Sequence, residues 1–237
     1  MIPIRDNVRA ERYPIVTVLL IAANSLMFLF EFSLGSHLDG FLTEYALVPM
    51  VFVEAIRAGA WFTAGRAMLC SLFLHGGLLH LVGNMWFLWI FGDNVEDRMG
   101  RLRYLLFYLL CGAGAALAQV MVHQRSMVPN VGASGAIAGV LAAYMVFYPT
   151  ARVYTLVFFF FFFDVVAIPA LFFLAIWFLF QLVFGLGSLQ AVSAQTGGVA
   201  WFAHVGGFVC GFILGPLLSF RRRARRRQVY KDEFRPW

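Results

Sequence analysis

Long apolar stretches separated by short polar ones are the dominant pattern along this chain. A helix rises about 1.5 Å per residue, so crossing the roughly 30 Å hydrocarbon layer of a bilayer takes about 20 predominantly apolar residues. Six stretches approach that length: Pro14–Phe32, Leu72–Phe91, Leu102–Met121, Gly132–Tyr148, Ile168–Leu186 and Val199–Phe220. The first is longer than the apolar region of a cleaved signal peptide and reads as a retained span. Between the first two lies Ser33–Ser71, where Glu44, Glu54, Arg57 and Arg66 are interleaved with Val51-Phe52-Val53 and Trp61-Phe62. Such mixing predicts amphipathic elements lying in the membrane interface, not a solvated linker.

Asp93, Glu96, Asp97 and Arg98 read as a polar stop after the second span. A short loop with His123, Arg125, Pro129 and Asn130 precedes the fourth. After Pro149 and Arg152 comes an unbroken phenylalanine run, Phe158–Phe163, then Asp164 and Pro169. An aspartate at mid-bilayer would flag function, but a loop lying in the interface before the fifth span accounts for it at less cost. The polar loop Gly187–Gly198 joins the last two spans, and no internal repeat is present. The expected fold is an all-α membrane protein: a six-transmembrane-helix bundle with a long first outer loop. Its core is 14–220, flanked by an N-terminal tail 1–13 and a basic tail 221–237.

Composition agrees. Of 237 residues, 62% are hydrophobic and 13% charged, with mean hydropathy +0.80, whereas a soluble domain carries roughly 25% charge. The net charge of +6 is concentrated after Phe220, in Arg221-Arg222-Arg223, Arg225-Arg226-Arg227, Lys231 and Arg235. A basic run beside a span contacts anionic headgroups and fixes orientation; without a nucleic-acid-binding signature it does not imply nucleic acid. With both termini cytoplasmic, 15 Lys and Arg fall inside and only Arg57, Arg66 and Arg125 outside, so the positive-inside rule favours that orientation. Cys70, Cys111 and Cys210 are isolated, with no metal-ligand spacing; neither metal nor cofactor is expected.

In that topology the second, fourth and sixth spans all enter from outside. His80, Ser134 and His204 then lie at one depth, roughly the outer third of the bilayer. His80 and Asn84 share a helix face, as do His204, Gly207 and Gly211, with Gly215 extending the stripe. A glycine stripe meeting the small-residue face of Ser134-Gly135-Ala136 would let two backbones touch and bring His204 to Ser134. A serine hydroxyl needs an adjacent base to become a nucleophile. No carboxylate sits at this depth on these three helices, so the arrangement reads as a Ser-His dyad. Ser134 also opens a helix, where free N–H groups, with His80 and Asn84, would form an oxyanion hole. Taken singly, each residue also has a packing explanation. His75, at the mouth of its span, reads as structural; His37 and His123 as solvated loop residues; Trp177 and Gln181 as packing and hydrogen-bonding residues of the fifth span.

His75-Gly76-Gly77-Leu78-Leu79-His80-Leu81-Val82-Gly83-Asn84, Gly132-Ala133-Ser134-Gly135 and Ala203-His204-Val205-Gly206-Gly207 together resemble the rhomboid intramembrane serine proteases. The long first outer loop, Glu96 and Gly100 fit as well. The resemblance implies Ser134 as nucleophile and His204 as general base, with His80, Asn84 and the backbone at Gly132–Ser134 holding the oxyanion and substrate. It implies single-span membrane proteins as substrates, reaching the site between spans two and five. The minimal six-span form is similar to bacterial members, hence an expected place in a bacterial inner membrane. Two other classes stand against this. A non-catalytic chaperone on the same scaffold would have lost the serine or histidine. A small transporter would show repeats and midplane polar sites.

Overall fold

The computed structural model describes residues 1–159, 162–188 and 200–219. The chain opens with strand β1 (Ile2–Asp6) and helix α1 (Ile15–Ser33). A 3-10 turn (Gly35–His37) leads to three short helices, α2 (Leu38–Tyr45), α3 (Pro49–Arg57) and α4 (Trp61–Ser71). Next come α5 (Leu78–Met99), α6 (Arg101–Val122) and α7 (Ser134–Phe147), then a hairpin of β2 (Arg152–Phe159) and β3 (Phe162–Pro169). Helices α8 (Ala170–Ser188) and α9 (Trp201–Leu218) follow. Most of the loop expected between the last two spans, from residue 189 on, and the basic tail from Arg221 lie outside the described residues.

Helices α1, α6, α8 and α9 are each long and apolar enough to cross a membrane. The stretch expected as a second span, Leu72–Phe91, is helical only from Leu78, and α5 continues to Met99. The polar residues expected to stop it instead find partners. Glu96, 3% exposed, accepts hydrogen bonds from the N–H groups of Val16 (3.0 Å) and Thr17 (2.8 Å) and from the Thr17 hydroxyl (2.8 Å). It thereby caps the first turn of α1, where free N–H groups and the helix dipole both favour an anion. The Arg98 guanidinium lies 5.4 Å from the centre of the Phe147 ring.

The segment between α1 and α5 is a set of short helices. Leu47, Phe52 and Ala64 pack with Ala116 and Val120 of α6, while Trp61 and Phe62 stay exposed. Leu47 bridges to Asn130, whose N–H donates to the Leu47 carbonyl at 2.8 Å. The segment leading into α7 is therefore tied to this loop.

Helix α7 is the centre of the molecule. At about 1.5 Å per residue its 14 residues give a length of about 21 Å, and every residue from Gly135 to Tyr144 is buried. Its small residues let α9 approach backbone to backbone. A Cβ added at Gly207 would fall on the Gly135 carbonyl, one at Gly211 on the backbone of Gly139, and one at Gly215 3.1 Å from the Ala143 side chain.

The all-α expectation needs correction. β1, β2 and β3 form a three-stranded antiparallel sheet in that order; the stretch expected as an interfacial loop is its hairpin. β-branched and aromatic residues dominate Arg152–Pro169, a composition suited to a pleated ladder. The two faces of β2 are both largely apolar, so alternation is hidden in the sequence, and β1 lies roughly 150 residues away from its partner. The sheet sits against α5 and α7: the Asn94 amide and the Tyr144 hydroxyl both donate to the Asp6 carboxylate.

Candidate active site

The loop before α7 fixes where Ser134 stands. The Gly132 N–H donates to the Ser71 carbonyl at 2.9 Å, which holds the serine approach to the end of α4. Gly132 has φ +128°, and a Cβ there would lie 2.7 Å from His80 Cε1 and 2.9 Å from Nε2. Both the backbone conformation and the contact with His80 therefore require glycine. Ala133 follows as N-cap residue, and Ser134 is the first residue of α7.

His204 sits in the first turn of α9, whose start is held by an Ala203 N–H bond to the Gln119 side-chain oxygen at 3.2 Å. The glycine contact between α7 and α9 sets the two side chains face to face. His204 Nε2 lies 2.8 Å from Ser134 Oγ, and His204 Nδ1 lies 2.7 Å from Gln181 Oε1. An amide oxygen can only accept, so Nδ1 carries the proton. In the neutral ring Nε2 is then the acceptor for the serine hydroxyl. Trp177 and Trp201 flank the imidazole, at ring-centre distances of 5.9 and 6.3 Å.

His80 and Asn84 occupy one face of α5, four residues apart, and look into a cavity of about 960 Å³. Ser134, Trp177, Trp201 and His204 line it as well. Asn84 is held by His75: Asn84 Nδ2 is 3.1 Å from His75 Nε2, and His75 Nδ1 is 3.3 Å from the Phe73 carbonyl. That carbonyl can only accept, so Nδ1 is protonated and Nε2 receives the Asn84 amide proton. The His75 N–H in turn bonds both oxygens of Glu31 at 3.2 Å.

The structure thus brings Ser134, His204, His80 and Asn84 around one cavity, with Gly132 packed against the His80 ring. Beside them stand Gln181, in keeping with the hydrogen-bonding role its sequence context suggests but with the His204 ring as its partner, and Glu31, which no motif marks. A lone amide in the otherwise apolar span of α8 and an acid near the end of α1 were the available signals. His75 is buried beneath Asn84, in keeping with a structural role. His123 is partly exposed, with its ring centre 5.6 Å from that of Phe202 and Nδ1 3.4 Å from Gln119 Nε2.

Chemically, a hydroxyl bonded to a correctly tautomerised imidazole can pass its proton to that base while the oxygen attacks an electrophile. The serine stands at a helix N-terminus, whose first N–H groups lack intrahelical partners, and that is where negative charge is best received.

Comparison with known proteins converges on one family. Over 154 residues the chain is 31% identical to RHOMBOID-like protein 6, mitochondrial, of Arabidopsis thaliana, a match covering 64% of this chain and 43% of that protein. It is 32% identical over 157 residues to RHOMBOID-like protein 2 of the same plant, covering 66% and 43% respectively. Over 131 residues it is 36% identical to the rhomboid protease GluP of Bacillus subtilis (strain 168), covering 55% of this chain and 24% of GluP. The chain thus spans less than half the length of each of these relatives. A rhomboid domain family model matches residues 62–221, from α4 through the end of α9. This integral membrane protein belongs to the rhomboid family.

Proposed function

We propose that the chain is an intramembrane serine endopeptidase that cleaves single-span membrane proteins, with Ser134 as nucleophile and His204 as general base. The observation that carries this reading is the 2.8 Å contact between Ser134 Oγ and His204 Nε2, with Nδ1 held at 2.7 Å by Gln181. Membership of a family that includes a protein named a rhomboid protease supports the same chemistry.

In the reaction, Ser134 Oγ attacks the scissile carbonyl carbon as its proton moves to His204 Nε2. The carbonyl oxygen becomes an oxyanion, received by the Ser134 N–H, His80 and Asn84. His204 then gives its proton to the departing amine, the C–N bond breaks and an acyl-enzyme remains. Water enters, gives a proton to His204 and attacks the ester carbonyl; return of that proton to Ser134 Oγ releases the new carboxyl terminus. Gln181 keeps Nδ1 protonated and stabilises the imidazolium without adding a charge.

In this reading α5 and α7 complete six spans with α1, α6, α8 and α9, within a core of residues 14–220. Both termini and the basic tail are cytoplasmic, the membrane is a bacterial plasma membrane, and the site lies in its outer half. Fluorophosphonate labelling tests the nucleophile. Detergent-solubilised protein should take up one label, mapped by peptide mass to Ser134 and absent in Ser134→Ala. Labelling elsewhere, or none in active-site-intact protein, would refute the serine mechanism.

A further inference from the structure

The sheet has a face that the site does not use. Residues paired across an antiparallel ladder point the same way, and neighbours along a strand alternate. The pairs Ile2 with Leu156, Leu156 with Val165, and Phe158 with Phe163 place these five side chains on one face. Arg5 pairs with Tyr154, its guanidinium 4.7 Å from the ring centre, and Arg152 lies on the same face at the end nearest α8. The opposite face carries Val153 and Thr155, both fully buried, and at its β3 edge Asp164 and Val166, both exposed. The outer face is apolar and open: Phe158 is 59% exposed and Phe163 73%.

Its position identifies what covers it. Asp6 meets Asn94 of α5 at 3.1 Å, and the Pro3 carbonyl accepts from the Trp86 indole at 2.6 Å. β1 therefore runs along α5 from Asn94 to Trp86, about 12 Å at the helical rise, into the apolar part of that helix. β3 ends at Pro169 and α8, a membrane-crossing helix, starts at the next residue. The sheet is therefore held beside the membrane-crossing helices, and the β2 part of its other face, at Val153 and Thr155, is already buried. Exposed Trp86 on α5, bonded to Pro3, lies beside it, as aromatic residues do at a bilayer boundary.

We propose that this face is a lipid-binding surface: Ile2, Leu156, Phe158, Phe163 and Val165 bed among acyl chains of the leaflet from which α8 starts, with Arg5 and Arg152 at the level of anionic phosphates. An apolar face flanked by arginines fits an anionic bilayer, and Asp164 is turned away from it.

The test uses the full chain, with Cys70, Cys111 and Cys210 replaced by alanine, in mixed phosphatidylcholine–phosphatidylglycerol vesicles. A nitroxide is attached in turn through Phe158→Cys, Phe163→Cys, Val165→Cys and Asp164→Cys. Collisions with oxygen should exceed those with a water-soluble nickel chelate at 158, 163 and 165, and the order should reverse at 164. Arg5→Gln with Arg152→Gln should move the 163 label toward water; an unchanged depth would overturn the phosphate contact. Dominance of the nickel chelate at 158 and 163 would overturn the proposal. So would spin–spin broadening between molecules diluted in lipid, which would mean a second copy covers the face. If the cysteine-free chain loses its thermal transition, p-benzoylphenylalanine replaces Phe163 in the unmodified chain. Photocrosslinks to lipid then support the proposal, and crosslinks to protein overturn it.

Discussion

At the scale of single residues, two imidazoles hold different places in the site. His204 touches the serine hydroxyl, whereas His80 packs on Gly132 and faces the cavity. An oxyanion donor acts only as charge develops, so its loss lowers kcat and leaves KM nearly unchanged. His80→Ala should cost about 10²–10³ in kcat, the usual size for one such donor, and Asn84→Ala that much or less, because the backbone N–H and His80 remain. Steady-state kinetics on one detergent-soluble substrate decides this; a rise in KM with kcat intact would make these residues substrate binders instead. Gln181→Leu tests the tautomer argument. A hydrogen bond to a charged group contributes about 1.5–3 kcal/mol, so losing the one that steadies the imidazolium should slow both acylation by fluorophosphonate and turnover about 10- to 10²-fold. Equal rates in variant and wild type would leave Gln181 as a packing and hydrogen-bonding residue without a part in the chemistry.

At the scale of elements, the closeness of α7 and α9 is the structural basis of the site. Even one methyl at Gly207 would land on the Gly135 carbonyl. Gly207→Ala should therefore destabilise by about 1–3 kcal/mol, as overpacking does, and Gly207→Leu by more, with activity falling in step. Gly65 in α4 meets nothing within 4 Å, so Gly65→Ala should be neutral or stabilising by up to about 1 kcal/mol. Thermal melts of the three variants give the comparison; a Gly207→Ala melt matching wild type would mean the helices are not in backbone contact. This contact was legible in the sequence because Gly207, Gly211 and Gly215 recur at helical spacing beside His204, and the small-residue texture of Ser134–Ala143 offers only one kind of partner. The sheet was not legible. Its strands lie far apart in the chain, and the apolar residues on both faces of β2 look the same as a membrane-bound loop. The full extent of α5 is hidden in the sequence because a run of charges signals water unless its partners are known, and the cap that Glu96 places on α1 is a contact across about 80 residues.

At the scale of the whole molecule, orientation decides from which side water and substrate reach the cavity. The excess of Lys and Arg on one set of loops predicts a cytoplasmic C-terminus. A reporter that is active only outside the cytoplasm, fused after Trp237, should stay silent in a bacterial host, and a cytoplasmic fluorescent reporter should light up. The reverse pair of results would put the cavity on the inner side and invert the proposed topology. Family membership rests on residues 62–221, and the proposed chemistry on the few side chains that the bundle gathers within that stretch. The most direct measurement of that chemistry is the single-turnover rate of peptide-bond cleavage in a single-span protein co-reconstituted with this chain in lipid vesicles. Removing the nucleophile or the base of such a pair typically costs about 10⁴–10⁶ in rate. The account predicts a loss of that order in both Ser134→Ala and His204→Ala, with melting temperatures kept. Cleavage by purified Ser134→Ala at a rate near that of wild type would contradict it.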